Sequence, residues 1–125
     1  MNLGLEMKQN MREAAIESLM KECHATAVEK GWWDDKHSRT LAECIALMHS
    51  ELSEALECER DPDFLLNSVQ YEDGKKPVGV ASEFADTIIR IFDCCEAYDI
   101  PLALAIKEKM EYNKTRSHRH GGKKL

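Results

Sequence analysis

Residues 40–60, TLAECIALMHSELSEALECER, decide the fold of this chain. Thr40 followed three residues later by Glu43 is the pattern of a capping box, which begins a helix. The apolar residues behind this cap recur at helical spacing. They are Leu41, Cys44, Ile45, Met48, Leu52, Ala55 and Leu56. The stretch therefore predicts an amphipathic helix that ends near Arg60, just before Pro62.

Helices are also predicted on both sides of this stretch. Good helix formers fill residues 11–30, and Gly31 is a typical C-terminal stop. Residues 78–98 repeat the helical spacing of apolar residues. Their predicted apolar face consists of Val80, Phe84, Ile88, Ile91, Cys95 and Tyr98. Pro101 fits the first turn of a fourth helix, which fades near Arg116.

The connection between the second and third helices is predicted to be irregular. Residues 64–66 are predicted to form a short helical turn, and residues 73–77 (DGKKP) a turn or loop. No convincing strand alternation and no internal repeat is present. The chain is therefore predicted to be an all-α bundle of four helices. Residues 1–116 would form its single domain, and residues 117–125 a basic C-terminal tail.

Composition narrows the class of protein. The 125 residues are 43% hydrophobic, which suits one globular domain, and the net charge of −6 argues against binding of a nucleic acid polymer. The core is modest, so oligomerisation is expected to bury more surface. The charge is also uneven: residues 107–125 carry a net +5, while residues 1–106 carry −11.

The sequence predicts a cytoplasmic protein without membrane contact. No stretch approaches the ~20 apolar residues that span a bilayer, and residues 1–11 lack the apolar core of a signal peptide. Five cysteines, an odd number without a CxxC spacing, argue against a disulfide framework or a zinc knuckle. Buried thiols are the interpretation that this pattern favours.

Two acid–x–x–acid pairs carry the chemistry of the second and third predicted helices. The first is Glu51 with Glu54 in ELSE, and the second is Glu83 with Asp86 in EFAD. Residues three apart lie on one side of a helix, so both carboxylates of a pair can reach one point. At 100° per residue, Glu51 and Glu83 lie roughly 80–100° from Leu41 and Phe84, at the same edge of the two apolar stripes. Packing of these stripes would bring four carboxylates together at the rim of the core.

Clustered carboxylates raise one another's pKa unless a cation is present. Mg²⁺ prefers oxygen ligands and leaves room for phosphate oxygens, so the two pairs predict Mg²⁺-assisted attack on a phosphate chain, with Mn²⁺ as a substitute. Acidic pairs also occur on solvated helix faces, and Glu57 and Glu59 are interpreted as such surface charges. A di-iron bundle would need Glu-x-x-His pairs, and no histidine of this chain lies three residues after a glutamate.

The two pairs, with 28 residues between them, resemble the ExxE…ExxD signature of the MazG-like, all-α nucleoside triphosphate pyrophosphohydrolases. The resemblance covers residues 20–125 and is closest to small single-domain phage and bacterial members. Four stretches carry it: GWWD (31–34), ALMHSELSEALE (46–57), GKKPVGVASEFADTIIRIFD (74–93) and KMEYNKTRSHRHGGKKL (109–125).

This resemblance implies a four-helix MazG-type fold whose core is completed in a homodimer or homotetramer. It implies hydrolysis of a nucleoside or deoxynucleoside triphosphate to the monophosphate and pyrophosphate, between the α- and β-phosphates. Glu51, Glu54, Glu83 and Asp86 would ligate Mg²⁺. Either Glu51 or Glu54 would orient or deprotonate the attacking water.

Five further residues are predicted to contact the substrate. Lys109, Asn113 and Arg116 share one helix face and can neutralise or hydrogen-bond phosphate oxygens, although a basic last turn also complements the helix dipole. In relatives a histidine and a tryptophan before the first acid pair contact the base, which assigns that role to His24 and Trp33. Core or interface packing is the alternative for the tryptophan, and a hydrogen-bonded helix histidine for His24.

One position departs from the resembled family. Arg90 follows Asp86 by one turn, where some relatives carry an aromatic or polar residue that contacts the base. The arginine can pair with Asp86 or hold a phosphate, so base specificity is not transferred. Two alternatives to the predicted activity stay open: a non-catalytic helical module that binds nucleotide or protein, and a phosphoribosyl-ATP pyrophosphohydrolase.

Overall fold

The computed structural model describes residues 3–35 and 39–118, and within them the chain is mostly helical. Along the chain the elements are α1 (Leu3–Glu29), α2 (Leu41–Arg60), β1 (Gln70–Glu72), β2 (Lys76–Val78), α3 (Val80–Ala97) and α4 (Leu102–Thr115). The four predicted helices are confirmed. The first begins at Leu3 and not at Met11, so its predicted start was wrong. Residues 119–125 of the predicted basic tail lie outside the described residues.

The predicted capping box at the start of α2 is confirmed. The backbone N–H of Glu43 donates to the Thr40 hydroxyl at 3.1 Å, and the Thr40 N–H donates to the Glu43 carboxylate at 2.9 Å. Two backbone groups that the first turn leaves without helical partners are thereby satisfied. The helix ends at Arg60, as its sequence predicts.

A short hairpin between α2 and α3 corrects the all-α prediction. β1 and β2 pair antiparallel with Gln70 opposite Val78 and Glu72 opposite Lys76. Asp73 and Gly74, both with positive φ, form the turn that joins them, and the Lys75 N–H donates to the Glu72 carbonyl. Each strand has three residues, too few for an alternating pattern to show in the sequence. The helical turn predicted for residues 64–66 is absent from this described segment.

Gly79 joins the hairpin to α3 in a conformation that favours glycine. Its φ is +98°, and a Cβ atom at this position would lie 2.8 Å from the side-chain oxygen of Gln70. Gly31, with a φ of +83°, follows α1 at the stop that the sequence predicts. The two glycines therefore set the directions in which the chain enters α3 and leaves α1.

Helix α3 is the centre of the structure, with α2 and α1 packed against it and α4 against α1. The buried residues Val80, Thr87 and Cys94 follow one another at intervals of seven along α3. This spacing is typical of the seam along which two helices pack. All five thiols are unpaired, and burial raises the pKa of Cys94 to about 12. The interior is built largely from small side chains. Among the described residues, the buried set is Met20, Cys44, Ala55, Val80, Thr87, Asp93, Cys94, Cys95 and Ala103.

The predicted apolar face of α3 was wrong in part. Phe84 is 51% exposed, and Ile88 and Tyr98 are exposed as well. The large apolar residues of one edge of α2 (Leu41, Ile45, Leu52 and Leu56) are exposed too. The packed face of each helix is rotated from the predicted centre toward its acids, by roughly 60–80° at 100° per residue. Among the described residues, no helix is both long and apolar enough to cross a membrane.

Candidate metal centre

Three of the four predicted acids converge between α2 and α3. Carboxylate oxygens of Glu51, Glu83 and Asp86 all lie within 4.8 Å of one another. Glu83 follows the buried Val80 by three residues, so its side chain lies on the packed seam of α3. Glu51 precedes the buried Ala55 by one turn and reaches across from α2. Glu83 and Glu51 therefore occupy positions at which a bundle of this kind normally carries apolar residues, while Asp86 is exposed.

Glu51, Glu83 and Asp86 together form the acid group. Three charged carboxylates at these distances repel one another. Burial, a hydrogen bond with Glu51 and the charges of Asp86, Glu51 and Glu54 raise the pKa of Glu83 to about 7. Burial and the charge of Glu51 also raise the pKa of Asp86, while the charge of Arg90 opposes this rise. A divalent cation would relieve the repulsion between the three side chains.

Glu54 lies at the edge of this group. Its carboxylate is not among the three that converge, and its side chain is exposed. Its charge nonetheless contributes to the raised pKa of Glu83, which places it in the same electrostatic field. The chain thus divides the four predicted ligands into three inner carboxylates and one outer carboxylate.

The donor set suits a hard divalent cation. Within the described residues, the convergent atoms are carboxylate oxygens, with no histidine or cysteine among them. Oxygen donors favour Mg²⁺ and Mn²⁺, whereas nitrogen and sulfur donors favour zinc, copper and iron. The residues present therefore fit the predicted cofactor by their chemistry and by the charge that they leave uncompensated.

Arg90 supplies the positive charge nearest to the acids. Its Nε donates to a carboxylate oxygen of Glu51 at 2.8 Å, and the two side chains are 25% and 14% exposed. The sequence placed Arg90 beside Asp86, which precedes it by one helical turn. The structure shows that its ion-pair partner is Glu51, across the α2–α3 interface, because both side chains point into the seam between the helices.

A cavity of about 540 Å³ opens beside the acid group. The lining includes Glu51 and Asp86 of the acid group with Arg90, and also residues of α1, Trp32 and Arg39. The volume falls within the range of roughly 300–1,000 Å³ that is common for small-molecule sites. The lining carries three cationic side chains, those of Lys30, Arg39 and Arg90. It also has an apolar surface that includes Leu19, Trp32 and Ile89. The cavity is therefore suited to an anionic ligand with an apolar part.

His24 and Trp33, predicted to contact a base, converge on a buried carboxylate of α3. The ring Nδ1 of His24 lies 2.8 Å from Asp93, and the indole N–H of Trp33 donates to both Asp93 oxygens at 3.0 and 3.2 Å. Trp33 also makes edge-to-face contacts with His24 and with Tyr98. In this chain, therefore, Trp32 lines the cavity, while the polar atom of Trp33 is bound to Asp93.

Sequence reasoning missed Asp93. It is 7% exposed and lines the same cavity as Asp86. One signal was available: Asp86, Arg90 and Asp93 follow one another at four and three residues, on one helix face. An aspartate within the apolar run IIRIFDCC is also a sign of a buried polar contact.

The three predicted phosphate contacts on α4 are exposed and lie outside the acid group and the cavity wall. Lys109 stacks its ammonium on the Tyr112 ring, 5.6 Å from the ring centroid. Arg116 caps the end of α4 through its backbone N–H, which donates to the Asn113 carbonyl. Helix α4 packs on α1, whereas α2 packs on α3.

Comparisons of the chain with protein-family models, with curated proteins and with solved structures find no match.

Proposed function

We propose that the chain is a Mg²⁺-dependent nucleoside triphosphate pyrophosphohydrolase of the MazG-like type. It would cleave a nucleoside or deoxynucleoside triphosphate to the monophosphate and pyrophosphate, between the α- and β-phosphates. The observation that supports the proposal is the convergence of Glu51, Glu83 and Asp86 beside a cavity with cationic and apolar walls. Free nucleotides as substrates and unpaired thiols are both in keeping with the cytoplasm.

The inner carboxylates of Glu51, Glu83 and Asp86 would hold the cation. When bound, Mg²⁺ would offset the charge of the phosphate chain and polarise it toward attack by water. Arg39 and Lys30 of the cavity wall can neutralise phosphate oxygens, since both are cations that face the same space as the acids. The Trp32 ring can pack against the nucleoside.

Glu54 is the better of the two candidates for activation of the water. Glu51 already accepts a hydrogen bond from Arg90 and shares one with Glu83, so its oxygens are engaged. Glu54 is exposed and stands outside the convergent group, which leaves its carboxylate available to accept a proton. A base must lie within hydrogen-bond reach of the proton that it removes, which this edge position allows.

The direct test is incubation of the purified chain with each nucleoside and deoxynucleoside triphosphate and Mg²⁺, followed by separation of products. Monophosphate and pyrophosphate should form, and Glu54→Gln and Asp86→Asn should each lose at least about 100-fold in rate, as expected for loss of a general base or a metal ligand. Glu59→Gln, an exposed acid of α2, is the matched control and should retain the rate.

Other products would replace the proposal with one of its alternatives. Diphosphate and phosphate would mean a different scissile bond. Turnover of phosphoribosyl-ATP in preference to free nucleotides would indicate the related pyrophosphohydrolase. Binding without turnover of any triphosphate under Mg²⁺ and Mn²⁺ would indicate a helical nucleotide-binding module.

We further propose that the exposed apolar edge of α2 and α3 is covered by a second copy of the chain, as a homodimer or as half of a homotetramer. Leu41, Ile45, Leu52 and Leu56 follow one edge of α2, and Phe84 and Ile88 share one face of α3. Six exposed large apolar side chains on two packed helices are the kind of surface that a like surface can cover. The α4 basic residues Lys109 and Arg116 could then reach the partner's acid group.

Sedimentation velocity across a concentration series tests this assembly. Leu52→Glu should shift the wild-type oligomer toward monomer, because it buries a charge in the apolar contact. Leu65→Glu, at an equally exposed leucine outside the edge, should leave the sedimentation coefficient unchanged. A wild-type chain that sediments as a monomer at all concentrations would contradict the proposal.

A further inference from the structure

Arg90 contacts the acid group and also lines the cavity. It lies on α3 one turn beyond Asp86, lines the cavity, and donates its Nε to Glu51 on α2 at 2.8 Å. Both members of this pair are mostly buried, at 25% and 14% exposure. Within the described part of the chain, this is the ion pair through which the acid group receives a positive charge.

The pair engages a carboxylate that a divalent cation would need. Glu51 belongs to the group of three convergent carboxylates, and a guanidinium N–H takes up one of its lone pairs. Among the described residues, three clustered carboxylates face this one ion-paired guanidinium, so the group carries more negative than positive charge. Arg90 is thus a partial substitute for a cation.

Arg90 also has capacity to spare. A guanidinium carries five N–H donors, and the bond to Glu51 uses one of them. Its position in the cavity wall places it where the phosphate chain of a nucleotide would lie next to the acids. Phosphate oxygens bind guanidinium through parallel hydrogen bonds, which makes them a strong alternative partner to a carboxylate.

We propose that Arg90 exchanges partners: it holds Glu51 in the metal-free chain and, once Glu51 takes up a divalent cation, binds a phosphate oxygen of the nucleotide. This inference rests on the proposed function and adds a phosphate-binding residue to it. The exchange gives Glu51 a cationic partner at each stage, first the guanidinium and then the divalent cation. It also couples the two ligands, because binding of the cation frees the guanidinium that the phosphate needs.

Titration calorimetry on the purified full chain tests both halves of the exchange. With Mn²⁺ alone as the probe, Arg90→Gln should bind about tenfold more tightly than wild type, because no charge-assisted hydrogen bond competes for Glu51. With saturating Mn²⁺ and the non-hydrolysable imido analogue of inorganic triphosphate as the probe, the same variant should bind about tenfold more weakly. The opposite signs are what a merely structural arginine would not produce.

Arg60→Gln is the matched control, since Arg60 pairs with Glu57 three residues away on the exposed face of α2. It should leave both affinities within about twofold of wild type. Arg90→Lys, which keeps the charge but not the planar donor fork, should change both in the same directions by less. This variant carries the test should Arg90→Gln fail to fold by circular dichroism.

If the Arg90 variants bind Mn²⁺ as tightly as wild type or more weakly, and wild type binds it normally, the exchange is overturned while the proposed function stands. Tighter Mn²⁺ binding with unchanged triphosphate binding would overturn it as well. A wild-type chain that binds no Mn²⁺ at all would remove the metal site itself, and with it both the proposed function and this inference.

Discussion

Two polar clusters lie in the same bundle and differ in how well their charges are matched. In the Asp93 cluster, the carboxylate receives hydrogen bonds from the Trp33 indole and lies 2.8 Å from the His24 ring. In the acid group, three carboxylates lie together, and within the described part of the chain the ion pair formed there is that of Glu51 with Arg90. Asp93 is buried, whereas in the acid group Glu51 and Glu83 are half-buried and Asp86 is exposed. Partial burial strengthens whatever balance or imbalance of charge each cluster contains.

The difference separates structural from functional polar groups. A buried carboxylate with its hydrogen bonds satisfied ties together the elements that it touches, here α1, the following loop and α3. A group of carboxylates with too little positive charge destabilises the chain that holds it until a ligand arrives. We therefore expect substitutions in the Asp93 cluster to cost stability, and substitutions in the acid group to cost binding and turnover.

The largest expected effect is that of Asp93→Ala on stability. It should lower the free energy of unfolding by about 3 kcal/mol or more, because it breaks a buried network and leaves the Trp33 N–H without its acceptor. Urea denaturation followed by tryptophan fluorescence measures this loss. Asp63→Ala, at an exposed aspartate, should stay within about 0.5 kcal/mol of wild type. Equal costs for the two variants would contradict a structural role for the Asp93 cluster.

The next effect is that of Glu83→Gln, which should act in the opposite way. The metal-free chain should become more stable by about 1 kcal/mol, because the amide removes one charge from the repelling group. Mg²⁺-dependent hydrolysis should fall by at least about 100-fold, since a ligand is lost. Thermal melts in a chelator and product assays measure the two changes. Loss of stability together with loss of activity would mean that Glu83 is structural.

A smaller effect is expected from pH. The pKa of Glu83 is raised to about 7, so between about pH 4.5 and 7 the folded chain holds a proton that the unfolded chain has released. Stability without metal is therefore complete below this window and falls as the pH rises through it. Urea midpoints from pH 5 to pH 8 should fall more in wild type than in Glu83→Gln, and Mn²⁺ should remove the difference. Parallel curves for the two chains would contradict the raised pKa.

The smallest effect distinguishes the two adjacent tryptophans. Trp33→Phe should cost about 1 kcal/mol, because it keeps the ring but loses the hydrogen bonds to Asp93. Trp32→Ala should leave stability nearly unchanged, since the Trp32 ring is exposed and stacks with the Arg39 guanidinium, 4.4 Å from the ring centroid. Nucleotide binding should be weakened more by Trp32→Ala than by Trp33→Phe, because Trp32 lines the cavity. Weaker nucleotide binding in Trp33→Phe than in Trp32→Ala would favour the base contact predicted for Trp33.

Local signals in the sequence predicted the helices well. These signals are the Thr40 capping box, the Gly31 stop and the apolar spacing on both sides of residues 51–54. Each depends on residues only a few positions apart, so a single sequence is enough to recognise it. The hairpin was missed because each strand has three residues and β2 contains Pro77. Its pairing depends on the Asp73-Gly74 turn and not on strand periodicity.

Side-chain partners were predicted less well than helices. The spacing of the acid pairs predicted that four carboxylates could meet. Those of Glu51, Glu83 and Asp86 do, whereas that of Glu54 is not in the convergent group. The spacing could not predict which edge of each apolar stripe packs against the other helix. The acids were therefore predicted at the rim of the core instead of at the seam between α2 and α3. The stripe of α2 is wider than one neighbouring helix can cover, so periodicity alone leaves its packed edge undetermined.

By itself, then, the sequence determined four helices, the point at which α2 begins and the acids that share a helix face. These depend on backbone hydrogen bonds and on the helical repeat, which are local. Only the tertiary structure decided that Arg90 pairs with Glu51, that Trp33 binds Asp93 while Trp32 lines the cavity, and that Phe84 is exposed. These contacts join residues as much as 60 positions apart, and they are fixed by how the helices rotate against one another.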